Sequence, residues 1–169
     1  LPYQLPPFDR IREEHYLPAF ERGMAEQLAE AEAIASSPEP PTFENTIVAL
    51  ERTGRLLDRV AAVFNNMVAA DAGPGIQRIH KEITPRLAKH ADAIYLNRAL
   101  FARIKALYEA RDELGLAPDE RWLLERHYTD FVRAGAELDD TDAERLRTIN
   151  EELSTLSTAF QQNLQNDTN

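Results

Sequence analysis

Residues 42–70 read T-F-E-N-T-I-V-A-L-E-R-T-G-R-L-L-D-R-V-A-A-V-F-N-N-M-V-A-A, and their spacing decides the fold class. Phe43, Ile47, Leu50, Gly54, Leu57, Ala61, Phe64 and Val68 recur at alternating steps of four and three, which puts all of them on one stripe of an α-helix. Val48, Leu56, Val60, Val63 and Met67 form a second row that widens the stripe into a face two neighbours could cover. Thr42 follows Pro40-Pro41, and its hydroxyl is placed to accept a bond from a first-turn N–H. Asp71-Ala72-Gly73-Pro74-Gly75 supplies the stop. The spacing thus predicts one helix about 42 Å long at a rise near 1.5 Å per residue. Its residues Phe43, Ile47, Leu50, Leu57, Phe64 and Val68 should be mostly buried. A helix of that length with one broad apolar side is the spine of an all-α helical bundle.

The chain on either side of the spine reads as helical too. Leu1 to Phe8 carries Pro2, Pro6 and Pro7 and is expected to be an extended arm. A helix starting near Glu14, with Pro18 in its first turn, aligns Leu17, Phe20, Met24, Leu28, Ala31 and Ala35. Ser37-Pro38-Glu39-Pro40-Pro41 is a stiff linker into the spine. A third helix follows through Ile76, Ile79, Ile83, Leu87, Ala91 and Ile94, with Pro85 inside it. Asn97 reads as the N-cap of a fourth that carries Leu100, Phe101, Ile104, Leu107 and Tyr108 on its face and ends at Gly115. Pro118 opens a fifth carrying Trp122, Leu124, Tyr128, Phe131 and Val132. Thr141 and Glu144 form a capping box for the sixth, with Leu146, Ile149, Leu153, Leu156, Phe160 and Leu164 in phase. Residues 1–169 therefore read as a single helical domain of about six helices, with no sustained strand alternation and no repeat.

Bulk properties narrow the function classes. A length of 169 residues is enough for a proper core. A hydrophobic share of 43% with 28% charged residues leaves no run able to span a membrane. The net charge of −10 argues against a general nucleic-acid binder. Cysteine is absent, which removes disulfides and thiolate metal sites. The chain begins at Leu1, from which trimming of a longer chain is expected. The compartment, cytoplasm or periplasm, stays open.

Motifs for chemistry are missing from the residues. His15, His80, His90 and His127 include no H-E-x-x-H and no E-x-x-H, so the helical spacings of zinc and di-iron ligands do not occur. The acidic run Glu137, Asp139, Asp140, Asp142 and Glu144 has Glu144 where a calcium loop needs its sixth-position Gly, so capping is the expected role. Residues 76–105 hold seven Lys/Arg against two Asp/Glu, a pattern expected of a solvated helix surface or, failing that, of anion steering. There is no G-x-S-x-G and no glycine-rich phosphate loop, and Asn166-Asp167-Thr168 is a commonplace glycosylation pattern. No residue of the chain is assigned a catalytic, cofactor-binding or metal-ligating role.

Several stretches nevertheless share a family signature. They are L-P-P-F-D-R-I-R-E-E-H-Y-L-P-A-F at 5–20, P-T-F-E-N-T-I-V-A-L-E at 41–51, I-Y-L-N-R-A-L-F-A-R-I at 94–104, F-V-R-A-G-A-E-L at 131–138 and I-N-E-E-L-S-T-L-S-T-A-F at 149–160. In order along the whole chain, they resemble the N-terminal part of the thimet-oligopeptidase-like zinc metallopeptidases, most closely the bacterial dipeptidyl carboxypeptidase (peptidyl-dipeptidase) branch. The resemblance implies a longer, almost wholly helical parent whose two lobes flank a channel for short unfolded peptides. It also implies zinc held by H-E-x-x-H and a later Glu in the C-terminal part. This chain has none of those residues, so none is carried over. The implied role is a piece of the N-terminal lobe that forms part of the channel wall, is inactive alone and binds no zinc itself. Its implied partners are the C-terminal catalytic part of the same chain and short peptides.

A free-standing helical interaction module without activity is the alternative. The fragment reading carries a surface expectation: Tyr3, Leu5 and Phe8 of the arm, with Phe160 and Leu164 on the last helix, should be exposed apolar area.

Overall fold

The computed structural model describes residues 6–70 and 73–168, and among them every regular element is helical. Helix α1 spans Glu13–Ala35. Helix α2 opens as a π-helical turn over Phe43–Val48 and closes with an α turn over Ala49–Glu51. Then come α3 Arg55–Ala70, α4 Pro74–Tyr95, α5 Arg98–Glu109, α6 Pro118–Arg133 and α7 Asp140–Thr168. The all-α expectation holds.

The spine is not one helix. It breaks between α2 and α3 at Gly54, whose φ is +73°. A right-handed helix cannot pass through that conformation, and only glycine adopts it without strain. The preceding residues have already tightened, with Arg52 N–H donating to Ala49 O at 3.1 Å and Thr53 N–H to Leu50 O at 3.0 Å. The Gly54 N–H leaves the helical ladder for the Glu30 carboxylate on α1, at 2.8 Å. Side-chain spacing alone puts Gly54 in the stripe because a glycine without a side chain fits any face.

The break divides the apolar stripe between two cores. Ile47 packs with Ala31, Ile34, Ile94, Leu100, Ile104, Leu124 and Phe131 in the first. Leu57 and Phe64 pack with Tyr16, Phe20, Ile76, Ile79 and Ile83 in the second. Helices α1 and α4 run through both and tie them together. Of the six residues expected inside, Ile47, Leu57 and Phe64 are buried, whereas Phe43, Leu50 and Val68 are half-buried against the cores.

Gly23 sets how closely α1 approaches α3. A Cβ placed there would lie 2.9 Å from Leu57 Cα and 3.0 Å from Leu57 N, and a backbone cannot rotate away as a side chain can. Gly23→Ala should therefore cost about 1–3 kcal/mol, the usual range for overpacking, despite the better helix propensity of Ala. Urea melts that show equal or greater stability would mean the two helices can separate cheaply.

Several helix ends differ from expectation. Helix α1 begins at Glu13, so Pro18 falls in its second turn and one ladder bond is absent there. Helix α5 stops at Glu109, and turns carry the chain to Gly115, whose φ is +63°. Helix α7 is capped by Asp139, whose Oδ1 accepts from Asp142 N–H at 2.9 Å, and not by the Thr141–Glu144 box. A carboxylate two residues earlier takes the Asp142 N–H, a free donor of the first turn, and lets the helix begin at Asp140. Thr42 and Asn97 cap as expected, accepting from Asn45 N–H and Leu100 N–H, each at 3.0 Å. Trp122 points to solvent while Leu124 and Phe131 of the same helix are buried.

Candidate functional site

The break in the spine opens a cleft of about 320 Å³ between α1, α2, α3, α4 and α6. Two of the four histidines meet there, although 37 positions separate His90 from His127 in the sequence. His90 Nε2 lies 2.7 Å from Gln27 Oε1 on α1, and His127 Nε2 lies 2.8 Å from Glu51 Oε1 on α2. Leu50, Leu57 and Leu87 supply apolar wall between them. Helical spacing along one segment could not reveal this, because it depends on where the tertiary fold places α4 and α6 around the cleft.

The other two histidines stand elsewhere. His15 Nδ1 accepts from the Arg12 N–H at 3.1 Å at the start of α1. The His80 ring lies 6.2 Å from that of Phe64, at the edge of the second core. A zinc ion needs three or four converging nitrogen, oxygen or sulfur donors. Among the described residues no three His, Asp or Glu side chains converge in that way. The described residues do not fit zinc.

Burial lowers the pKa of both His80 and His90 below the ordinary histidine value. A histidine whose folded pKa is depressed binds its proton in the unfolded chain first. Stability is therefore full above about pH 6.5, falls as the pH drops below it, and levels off under the folded pKa. Asp92 acts in the opposite sense at lower pH, since burial raises its pKa and neutralising it favours the fold. Melting midpoints should fall between about pH 7 and 5, and His80→Gln with His90→Gln should flatten that slope. An unchanged slope in the double variant would show that other groups set it.

The charged stretches resolve into structure. In the basic stretch 76–105, Arg86 pairs with Glu21 and Glu82 at 2.8 Å each, Arg98 with Asp140 at 2.8 Å, and Lys105 with Glu137 at 3.6 Å. Arg103 is not on a solvated surface. It is buried, donating from Nη1 to the Ser37 and Glu39 carbonyls at 3.1 and 2.9 Å and from Nη2 to Asn45 Oδ1 at 3.0 Å. Asn45 Oδ1 also accepts from Thr42 N–H at 2.8 Å and from the Thr46 hydroxyl at 2.9 Å. One guanidinium thus fixes the proline-rich linker to the cap of α2. In the acidic run Asp139 caps α7, as expected of that run, and Glu144 in addition pairs with Arg147 at 2.8 Å.

The last helix presents a second feature. Phe160 and Leu164 are exposed, as is Phe8 on the arm, while Tyr3 and Leu5 lie outside the described residues. The exposure extends further up α7 than expected, to Ile149, Leu153 and Leu156.

No family model matches the chain. Over 164 residues, 97% of the chain, it is 44% identical to the dipeptidyl carboxypeptidase of Escherichia coli K12, covering 24% of that protein. It is 26% identical over 162 residues to the organellar oligopeptidase A of Arabidopsis thaliana, covering 96% of the chain and 20% of the relative. Oligopeptidase A of Escherichia coli K12 is 21% identical over 163 residues, with 96% of the chain and 24% of the relative covered. The chain spans about a quarter of the length of the curated relatives it matches.

Proposed function

This chain is homologous to about a quarter of the dipeptidyl carboxypeptidases and oligopeptidases A, the thimet-oligopeptidase family read from its sequence, and on that premise we propose that it is the N-terminal helical lobe of a zinc-dependent peptidyl-dipeptidase. The enzyme releases C-terminal dipeptides from short unfolded peptides. This segment forms part of the wall of the substrate channel, and the zinc ligands and catalytic residues lie in a C-terminal part of the same polypeptide. The observation that carries the branch is the 44% identity to a dipeptidyl carboxypeptidase, against 26% and 21% to two oligopeptidases A. A wall role is supported by the way His90 and His127 are each engaged by a side chain from another helix, which holds the cleft in shape. The peptidase works in the cytoplasm or periplasm. Among the described residues no helix is long and apolar enough to cross a membrane.

Two preparations test this reading. The 169-residue chain, after dialysis, should hold no stoichiometric zinc and release no dipeptide from an N-terminally blocked peptide. The full-length polypeptide that contains it should release C-terminal dipeptides and lose that activity to a chelator. One zinc per isolated chain, or chelator-sensitive turnover by it, would overturn the division of labour. Internal cleavage by the full-length polypeptide would move it to the endo-oligopeptidases.

A helical interaction module without activity is the second reading, and the exposed apolar side of α7 favours it. A stop codon directly after Asn169 would decide for it.

A further inference from the structure

Helix α7 turns its polar side inward. It lies along α4, where Asn150 Nδ2 donates to Asp92 Oδ1 and Gln162 Nε2 to the Gln77 carbonyl, each at 2.8 Å. Between those two bonds Thr158 is 2% exposed, with its hydroxyl donating to Ser154 O at 2.9 Å. Small and hydrogen-bonding residues therefore make the seat. Ile149, Leu153, Leu156 and Phe160, at steps of four, three and four, point the other way and are 48%, 59%, 67% and 69% exposed.

An amphipathic helix ordinarily lays such a stripe on the core. Here the core-facing side is already satisfied by polar bonds, so no rotation about the helix axis could bury the stripe without breaking them. Five of the eleven large apolar side chains exposed among the described residues stand on this one helix. Apolar side chains scattered singly need no explanation, but a contiguous stripe of this kind marks an interface.

We propose that this stripe of α7 is the seam on which the rest of the peptidase polypeptide docks, through an apolar face rimmed by Lys or Arg. The inference rests on the function proposed above. Its occupant follows from two observations. About three-quarters of the length of the curated relatives lies outside the matched part, so the full polypeptide has a body several times larger to cover this stripe. Glu151 and Glu152 stand beside Leu156 on the same helix and suit a cationic rim. A second copy fits poorly, since each copy carries a net charge of −10.

The test compares one double variant, Leu153→Asp with Phe160→Asp, in two settings. In the 169-residue chain both side chains are exposed, so helicity and the melting midpoint should stay at the wild-type value. In the full-length polypeptide the same change should lower the melting midpoint by several degrees and dipeptide release at least tenfold. Trp122→Asp, at an equally exposed site off the stripe, should leave both settings unchanged. Wild-type amides of 149–160 should also exchange at least a hundredfold more slowly in the full-length polypeptide than in the isolated chain, a comparison that needs no variant. Unchanged stability and exchange in the full-length polypeptide would overturn the seam. So would an isolated chain that sediments as a dimer and becomes monomeric in the double variant. An active full-length peptidase with an unprotected stripe refutes the seam alone. A full-length polypeptide with a protected stripe and no dipeptide release refutes the function alone.

Discussion

Phe64→Ala should lower the unfolding free energy by about 3–5 kcal/mol, the range for removing a buried aromatic side chain. Phe64 is 1% exposed and sits at the centre of the second core. Its ring meets Tyr16 and Phe20 edge-on, at centroid distances of 5.0 and 5.4 Å, so the truncation removes two aromatic pairs as well as buried area. The cost depends on whether the neighbours can collapse into the space. They are poorly placed to do so, because α1 and α3 already touch backbone to backbone where Gly23 faces Leu57. The cavity should therefore persist, and the loss should fall in the upper half of the range. Phe160→Ala removes the same atoms from a side chain that is 69% exposed and should stay within about 0.5 kcal/mol of wild type in the isolated chain. Urea melts of the two variants decide the matter. A Phe64→Ala loss under about 1 kcal/mol would mean that this core is loosely packed.

That contrast marks what the sequence could and could not reveal. Helix class and inward faces were legible wherever a single segment decides them. The Ile76, Ile79, Ile83 and Ile94 series and the Leu100, Phe101, Ile104 and Leu107 series are buried as their spacing predicts. The same logic fails on α7, where an in-phase stripe faces outward, because periodicity shows that a face exists and not what covers it. It also fails at Gly54, where a missing side chain hides a backbone reversal. The placement of His90 and His127 on one cleft depends on a tertiary arrangement that no local pattern encodes. The family resemblance supplied what spacing could not, since the relation to peptidases runs through whole stretches and not through any catalytic motif.

Arg103→Met should cost about 2–4 kcal/mol, given that a hydrogen bond from a charged donor contributes about 1.5–3 kcal/mol and that Arg103 makes three. The sum is reduced on both sides. Ser37 is half-buried and Glu39 exposed, so their freed carbonyls can partly recover bonds to water. The guanidinium itself is desolvated, with a buried Nε that has no hydrogen-bond partner, and removing it relieves that penalty. Met keeps the length and apolar character of the stem, so little of the effect comes from lost packing. Arg103→Lys should recover less than half of the loss, because an ammonium cannot reproduce a planar fork aimed at three acceptors. The consequence reaches beyond stability. Arg103 holds the linker 36–41 and, through Asn45, the cap that starts α2, so its loss should expose that linker to protease well before global unfolding. Limited proteolysis under native conditions, followed by mass analysis of the first cut, reads this directly. If Arg103→Met melts within about 0.5 kcal/mol of wild type and its first cut lies elsewhere, the linker is held by its prolines and not by this side chain.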